Sequence, residues 1–565
     1  MPTDSRRASA LVSAGILLSR LAGLVRETVV GHFLGRSLAA NAFAYALRIP
    51  NILQNLLGEG VLSASFIPVH VRLLDAGEED EARQLAGTVL GLLAVVSGGA
   101  AVLLVALAGP ISRLLVLGGS AELQALVASL LRIVAPGLAL LVLSAWCLGI
   151  LNSHRQFFLS YVAPVAWNLA QIVAVASVGA VLLDGVPIAT LSELQLNEVA
   201  PQLARALAWG TLAGGALQLA VQLPHVRRLN GGVRPRLSPV TPHVREVLRA
   251  FTPVVTGRGV VQLATFVDLM LASVLAGAAL VTVQKALIFA LLPVSLFGMS
   301  VAAAELPDLS TARRDDRVTL ARRIDAGLGR IAFYVAPTAV GFVVVGELIV
   351  GMVYLTGQFG PDDVRIVAVV LAGASFGLLA TTSSRLLQSV LYGSGNARGP
   401  ARIAIVRVVL AALLGLVLMF QLDRLVLVGD GVAMMGDAQL PAFGPLPTLQ
   451  RSDGLLHLGA LGLTLASSIA ALVEYALLRT LVDASVGTRV RVGGPQRVQI
   501  AAAAIAAAGA AMLVRPWLGE LPVRVAGLAA VATVGVVHIS VATALGVDEA
   551  RALLASVRRV LRRGR

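Results

Sequence analysis

The chain has 565 residues, of which 57% are hydrophobic and 13% are charged, and its mean hydropathy is +0.85. Soluble proteins carry about 25% charged residues, so the composition excludes a soluble globular protein and indicates a polytopic membrane protein. The net charge of +14 does not predict nucleic-acid binding, because the positions of the arginines relate to the membrane segments.

Long apolar runs such as "GTVLGLLAVVSGGAAVLLVALAGP" predict membrane helices rather than barrel strands, which alternate over about ten residues. The basic, then apolar, amino terminus is interpreted as a retained first helix, because Arg20 interrupts the apolar part. We predict an all-α fold with fourteen helices, at residues 8–33, 38–72, 84–109, 121–153, 157–184, 201–224, 246–277, 279–309, 324–356, 364–394, 400–421, 455–480, 497–518 and 523–546.

The arginines of the termini, the loops and the adjoining helix ends predict the orientation. Twenty-eight belong to one side of the membrane segments, and seven belong to the other. Cytoplasmic loops are enriched in arginine and lysine, so both termini are predicted to be cytoplasmic. Contact with anionic lipid would account for most of these arginines.

Predicted helices 2 and 8 share a pattern: each has a mid-helix proline, a run of small residues and a second proline. The spacing predicts two six-helix lobes, helices 1–6 and 7–12, with substrate between them and two appended helices. Pro50 and Pro293 are either hinges or passive kinks. The expected divisions are an N-lobe at 1–228, a basic linker at 229–245, a C-lobe at 246–425 and 455–480, an irregular periplasmic loop at 426–454, two appended helices at 497–546 and a basic tail at 547–565.

Helix 1 carries Arg20, Arg26 and Glu27 at a depth where an unpaired guanidinium costs about 3 kcal/mol or more. Arg20 and Glu27 are seven residues apart and share a helix face. An intramembrane Arg–Glu bridge is one interpretation. The other, which we favour, is an anion site, since the guanidinium fork matches phosphate.

No residue pattern predicts catalysis. Lys285 is the only lysine and is followed by Ala286, which excludes a P-loop. The single cysteine, Cys147, excludes a disulfide framework, and no acidic cluster has metal-ligand spacing. We therefore predict a transporter, not an enzyme, with no metal and no cofactor.

The run "SRLAGLVRETVVGHFLGRSLAANAFAYALRIPNILQNLLGEGVLSASFIPV" resembles the amino-terminal signature of the MurJ/MviN lipid II flippases, a family of the MOP exporter superfamily. "LPVSLFGMSVAAAELPDLS" and the region around "QFGPDDVRIVAVVLAGASFGLLATTSSRLLQSVLYGSGNARGPARIA" are similar to later segments of that family. The resemblance implies fourteen helices and a cationic cavity that passes undecaprenyl-pyrophosphate-linked disaccharide-pentapeptide outward by alternating access in the bacterial inner membrane.

The resemblance also implies site residues. Positions that match the family are Arg20, Arg26, Glu27, Arg48 and Glu59, whereas Asn41, Gln54, Ile288 and Leu291 stand where the family has charged cavity residues. Of the three arginines that hold the pyrophosphate in the family, only Arg26 is present here. We hypothesise that Lys285, with Arg20, Arg26 and Arg258, rebuilds the anion site in a shifted form.

The function expected from the resemblance is lipid II flipping for peptidoglycan assembly. The missing arginines leave open a paralogue that flips another polyprenyl-linked oligosaccharide. A cation-coupled drug exporter would need an acidic cavity, and a scaffold for cell wall synthesis enzymes would not need membrane-embedded arginines. The expected partners are the pyrophosphate glycolipid, membrane lipids and cell wall synthesis enzymes. Helices 13 and 14 border either a groove for the lipid tail or an ordinary packing interface.

Overall fold

The computed structural model describes residues 2–117, 119–154, 156–229, 231–232, 234–236, 241–275, 278–295, 317–393, 396, 398–429, 431–435, 439–447, 450, 454–487 and 494–563. Ten helices in these ranges are long and apolar enough to cross a membrane, or eleven if one pair bent by 45° is a single span. The all-α polytopic class is therefore confirmed. The count of fourteen helices is compatible with the structure and stays a prediction.

The first compact unit comprises residues 1–274 and 356–359. Its helices are α1 Pro2–Leu34, α2 Leu38–Leu57, α3 Glu59–Ser65, α4 Ile67–Asp75, α5 Glu79–Ala106, α6 Ala108–Leu115, α7 Ala121–Ser153, α8 Phe157–Leu183, α9 Glu193–Leu229 and α10 Pro242–Ser273, with a 3-10 turn at Ile188–Thr190. The unit ends one helix later than the lobe boundary expected from the sequence. The division into two six-helix lobes stays a prediction.

The segment predicted as one membrane helix over 38–72 lies in a single candidate span, Leu38–Asp75, which two breaks divide into three helices. The first break is at Gly58, whose backbone is extended with φ −94° and ψ −151°. A Cβ at Gly58 would lie 2.4 Å from the Gln54 carbonyl oxygen, so only glycine fits this corner. Broken backbone inside a membrane protein is tolerated where it is buried in protein or lines a cavity.

Helices α8 and α9 pack closely because glycines on α9 face α8. A Cβ at Gly214 would lie 2.8 Å from the Trp167 carbonyl oxygen, and one at Gly210 would lie 2.7 Å from the Ala174 Cβ. Such small residues, four apart on one helix face, allow two membrane helices to approach at backbone distance. Helix α1 packs on the same α8.

A separate core joins α3, α4, α5 and α7. Trp146 on α7 is 1% exposed and packs in this core with Phe66 and Leu85. Its indole N–H donates to the Ala86 carbonyl oxygen at 3.1 Å, so the polar edge of this large side chain is satisfied within an apolar surrounding.

The second compact unit comprises residues 275–355 and 360–565. Its helices are α11 Ala279–Pro293, α12 Arg317–Val344, α13 Gly346–Tyr354, α14 Pro361–Ser375, α15 Leu378–Gly393, α16 Arg398–Leu422, α17 Gly459–Val486, α18 Gly494–Leu518, α19 Val523–Ala544 and α20 Asp548–Arg563. Predicted helices 9 and 10 are therefore each interrupted, and the predicted basic tail contains a helix.

Polar contacts between helices reinforce this second unit. On α17, the Thr464 hydroxyl donates to the Val370 carbonyl oxygen at 3.1 Å and the Ser468 hydroxyl donates to the Gly373 carbonyl oxygen at 2.8 Å. Both acceptors lie on α14. Hydroxyl-to-carbonyl bonds of this kind link membrane helices without burying a charge.

The loop expected to be irregular over 426–454 is partly a sheet, so that expectation is wrong. Strands β1 Leu425–Val428 and β2 Gly431–Met434 pair antiparallel, with Leu425 opposite Met434, and β1 also pairs antiparallel with β3 Leu456–His457. The short strands escaped detection because four residues are too few for an alternation pattern to stand out.

Candidate functional site: a cationic and polar cavity of the first unit

Arg26 and Glu27 lie side by side on α1, and both side chains are mostly buried, at 18% and 19% exposure. The Arg26 Nη2 group donates to the Glu27 carboxylate. A guanidinium has five N–H donors, so this one contact leaves most of them for a further anion. The carboxylate partner lowers the cost of holding the cation among membrane helices.

The Arg26 guanidinium also lies over the ring of Trp167 on α8, with the guanidinium carbon 4.9 Å from the ring centroid. This is within the range of a cation–π contact, which uses the face of the guanidinium and leaves its N–H edge available. Trp167 reaches this position because Gly214 allows α9 to pass directly behind its backbone.

Arg26 lines a cavity of about 630 Å³ within the first unit. The wall is built by α1, the α2–α3 corner, α7, α8 and α9. Its lining residues are Ser19, Arg26, Gln54, Asn55, Gly60, Ser63, Leu141, Ser144, Ala145, Leu148, Pro164, Trp167, Asn168 and Gln218. The break at Gly58 gives the wall residues from both α2 and α3, namely Gln54 and Asn55 on one side and Gly60 and Ser63 on the other.

The other positions of the first unit that the resemblance singles out, matched or substituted, have different surroundings. Arg20 is exposed and Arg48 is half-buried. Asn41 is 8% exposed, and its side-chain oxygen has no hydrogen-bond partner among the residues that the structure describes. Glu59 is the first residue of α3; its side chain lies outside the described part of the structure.

Gln54, which stands where the family has an arginine, lines the cavity with Arg26. Pro50 is buried inside α2, one turn before it. The position is therefore at the cavity wall, as the resemblance implies, but it carries an amide instead of a cation. The backbone at Arg258 belongs to α10, and its side chain lies outside the described part of the structure.

Lys285 lies on α11 of the second unit and is 4% exposed. Its ammonium nitrogen is 4.7 Å from the ring centroid of Tyr354. Ile288 is half-buried and Leu291 is 54% exposed on the same helix, and Pro293 is the last residue of α11. A contribution of Lys285 to anion binding stays a prediction.

Sequence reasoning missed Trp167, Asn168, Gln218 and Ser144, which all line the cavity. They are uncharged, so a search for charges within apolar segments passes over them. Two amides and an indole in helices that are otherwise apolar would have been a usable signal, because buried polar groups require partners.

Solved structures similar to this chain share its architecture. A structure described as "Lipid II flippase MurJ, inward closed conformation" matches with a TM-score of 0.71 and 20% identity, over 94% of this chain and 98% of that one. A multidrug resistance MATE family transporter of the MOP superfamily, in an inward-facing conformation, matches with a TM-score of 0.58 and 16% identity, over 84% and 98% of the two chains. This chain has the same fold as these two membrane proteins.

Sequence comparisons identify the family of this chain. The family described as "Lipid II flippase MurJ" matches residues 30–438. The "Probable lipid II flippase MurJ" of Bdellovibrio bacteriovorus is 30% identical over 433 residues, covering 75% of this chain and 79% of the relative. The "Lipid II flippase MurJ" of Burkholderia cenocepacia is 29% identical over 406 residues, covering 71% and 75%. The chain belongs to the MurJ family of lipid II flippases, which are transporters and not enzymes.

Proposed function

We propose that this protein moves lipid II, the undecaprenyl-pyrophosphate-linked precursor of peptidoglycan, from the inner to the outer leaflet of the bacterial cytoplasmic membrane by alternating access. The family match over most of the chain supports the substrate class. The single observation that carries the proposal at the level of residues is the Arg26 guanidinium at the wall of a polar cavity among membrane helices.

Arg26 is the proposed contact of the pyrophosphate. Its charge persists at any physiological pH, and its fork of N–H donors matches phosphate oxygens. The Glu27 carboxylate and the Trp167 ring hold the guanidinium from two directions, which reduces the reorganisation needed when the anion arrives. Glu27 and Arg20 set the local charge without contacting the phosphate in this proposal.

Arg48 and Glu59 are proposed as further determinants of substrate binding because they match the family. Lys285 and Arg258 are proposed because they would rebuild the anion site in a shifted form. The cytoplasmic placement of both termini is proposed from the arginine distribution in the sequence. Contacts with anionic membrane lipids and with cell wall synthesis enzymes belong to the same proposal.

The decisive experiment is rescue of a bacterial strain depleted of its own lipid II flippase. Expression of this chain should restore growth and normal cell shape, and lipid II should become accessible at the outer leaflet. Failure to rescue, despite membrane expression equal to that of a working flippase, would contradict lipid II as the substrate. Rescue without outward movement of lipid II would contradict the flippase mechanism.

Arginine variants test the site in the same strain. Arg26→Gln should reduce lipid II translocation by about tenfold or more, because it removes charge-assisted hydrogen bonds worth roughly 1.5–3 kcal/mol each. Arg26→Lys should retain part of the activity, since it keeps the charge and loses the fork. Arg113→Gln is the matched control, because Arg113 is an exposed arginine of α6 outside the cavity lining. Lys285→Ala tests the second cation; unchanged transport would remove Lys285 from the site.

A further inference from the structure

Apart from Arg26, the polar residues that the structure describes on the cavity wall are neutral. Among these fourteen described lining residues, four others carry amides, three carry hydroxyls and none carries a carboxylate or a second cation. The amides are Gln54, Asn55, Asn168 and Gln218, and the hydroxyls are Ser19, Ser63 and Ser144. A wall of this kind offers donors and acceptors of hydrogen bonds to an uncharged polar ligand, next to a single anion contact.

Two of the amides are held in place by hydrogen bonds within the protein. The Asn168 Nδ2 group donates to the Pro164 carbonyl oxygen at 3.1 Å. The Gln218 Nε2 group donates to the Ser144 hydroxyl at 2.9 Å, and that hydroxyl donates to the Gln222 Oε1 at 3.3 Å. In each amide, one N–H therefore fixes the orientation of the side chain.

These bonds leave the carbonyl oxygens of Asn168 and Gln218 as oriented acceptors within the described part of the chain. An amide has two lone pairs on oxygen and two N–H donors. Polar groups held among membrane helices are costly unless a partner satisfies them. Preorganised acceptors and donors at a cavity wall are a typical means of fixing the orientation of a bound ligand.

Charge and size together select the part of the substrate that fits. A peptide with free carboxylates would meet one cation, Arg26, among the described residues of this wall, and an isoprenoid chain would leave the amides without partners. The volume of about 630 Å³ lies within the ~300–1,000 Å³ of small-molecule sites. Sugar hydroxyls and acetamido groups are neutral, dense in donors and acceptors, and covalently next to the pyrophosphate.

We propose that this cavity is a saccharide subsite, in which Asn168 and Gln218 bind the amino sugar attached to the pyrophosphate held by Arg26. The two amides are thus specificity-determining residues for the glycosylated lipid. The inference rests on the proposed function, because it places the sugar by its linkage to the Arg26-bound pyrophosphate.

The test compares two probes on the purified protein in detergent: undecaprenyl pyrophosphate, which has no sugar, and the same lipid carrying an N-acetylated disaccharide without peptide. Gln218→Met and Asn168→Leu replace each amide by an apolar side chain of similar size. Each should raise the Kd of the glycosylated probe by about fivefold, the effect of one or two lost hydrogen bonds. Neither should change the Kd of undecaprenyl pyrophosphate by more than about twofold.

Two controls separate this inference from the proposed function. Gln202→Met removes an exposed amide of the same helix α9 outside the cavity, and both Kd values should stay at their wild-type level. Arg26→Gln should weaken both probes. Loss of both probes in the amide variants, or of neither, overturns the saccharide subsite. An Arg26→Gln protein that binds both probes normally overturns the anion site itself. Equal melting temperatures of all variants exclude misfolding.

Discussion

At the residue scale, Trp167 holds the Arg26 guanidinium through its ring face and not through its indole N–H. The guanidinium carbon lies 4.9 Å from the ring centroid, and the indole nitrogen has no hydrogen-bond partner within the residues described by the structure. The aromatic ring therefore supplies the interaction, and the indole N–H can be removed without breaking a hydrogen bond of the described chain.

Replacing the ring should therefore weaken anion binding in proportion to the lost cation–π contact. Trp167→Leu should raise the Kd of undecaprenyl pyrophosphate by about twofold to thirtyfold, since such contacts contribute about 0.5–2 kcal/mol. Trp167→Phe keeps a ring and should stay within about threefold of wild type. Titration of the purified variants with this lipid measures both. Equal loss in the two variants would show that ring size, not the cation–π contact, sets the affinity.

A second charge pair at this scale lies in the other unit. The Glu474 carboxylate on α17 is 2% exposed; it accepts from the Arg407 Nη1 group at 2.6 Å and from the Gln388 Nε2 group at 3.1 Å. Arg407 therefore pairs with a buried acid. Its side chain joins α16 to α17.

Breaking this pair should cost more than removing it. Arg407→Leu leaves the Glu474 carboxylate buried without its cation, and we expect a loss of about 3 kcal/mol or more in the free energy of unfolding. The double variant Arg407→Leu with Glu474→Leu should recover most of that loss, because no buried charge remains. Reversible unfolding in mixed detergent micelles measures both values. Additive losses in the double variant would contradict the interpretation as a coupled pair.

At the element scale, two glycines of helix α5 allow the chain segment after α9 to lie directly against this helix. A Cβ at Gly91 would lie 2.3 Å from the Arg236 carbonyl oxygen, and one at Gly87 would lie 2.8 Å from the Arg234 carbonyl oxygen. The Arg236 N–H donates to the Gly87 carbonyl oxygen at 3.0 Å. Part of the predicted basic linker therefore lies against α5 at backbone distance.

A side chain at Gly91 should release this segment. In Gly91→Ala the Arg236 backbone must move away from α5, and trypsin should cleave after the exposed Arg236 several times faster than in wild type. Gly99→Ala is the matched control on the same helix, because a Cβ there meets no described atom within 4 Å and alanine favours the helix by about 0.5–1 kcal/mol. Equal cleavage of the two variants would contradict this docking of the linker. Limited proteolysis with timed sampling provides the measurement.

At the scale of the whole molecule, hydropathy predicted where helices lie but not where they break. Helix α7 occupies the predicted range 121–153, because one long apolar run without an extended glycine can stay helical. The predicted helix at 38–72 breaks at Gly58. A hydropathy window measures transfer to lipid, whereas a break depends on backbone hydrogen bonds and on close contacts that only the folded chain reveals.

The residues of the candidate site could also be predicted only in part from the sequence. Arg26 could be identified because a charge in a membrane segment is costly and therefore indicates a partner or a function. Trp167 and Gln218 could not, since an indole and an amide carry a much smaller transfer cost and their meeting depends on how α8 and α9 pack. Gly214 makes that packing possible, and its role is visible only once the facing backbone is known.

Orientation in the membrane is the last prediction, and the single cysteine makes it directly testable. Cys147 is 0% exposed, so a membrane-impermeant maleimide should not label the wild-type protein. Ala76, between α4 and α5, and Ala189, between α8 and α9, are both exposed and small, so cysteine should replace either without disturbing the fold.

The arginine asymmetry predicts that Ala76 lies on the cytoplasmic side and Ala189 on the periplasmic side. In intact spheroplasts, Ala189→Cys should be labelled and Ala76→Cys should not; after permeabilisation both should be labelled to a similar extent. The reverse pattern would invert the predicted topology. Labelling of both in sealed spheroplasts would contradict an intervening membrane. The result bears on mechanism, because an outward flippase must first take its substrate from the side on which Ala76→Cys is protected.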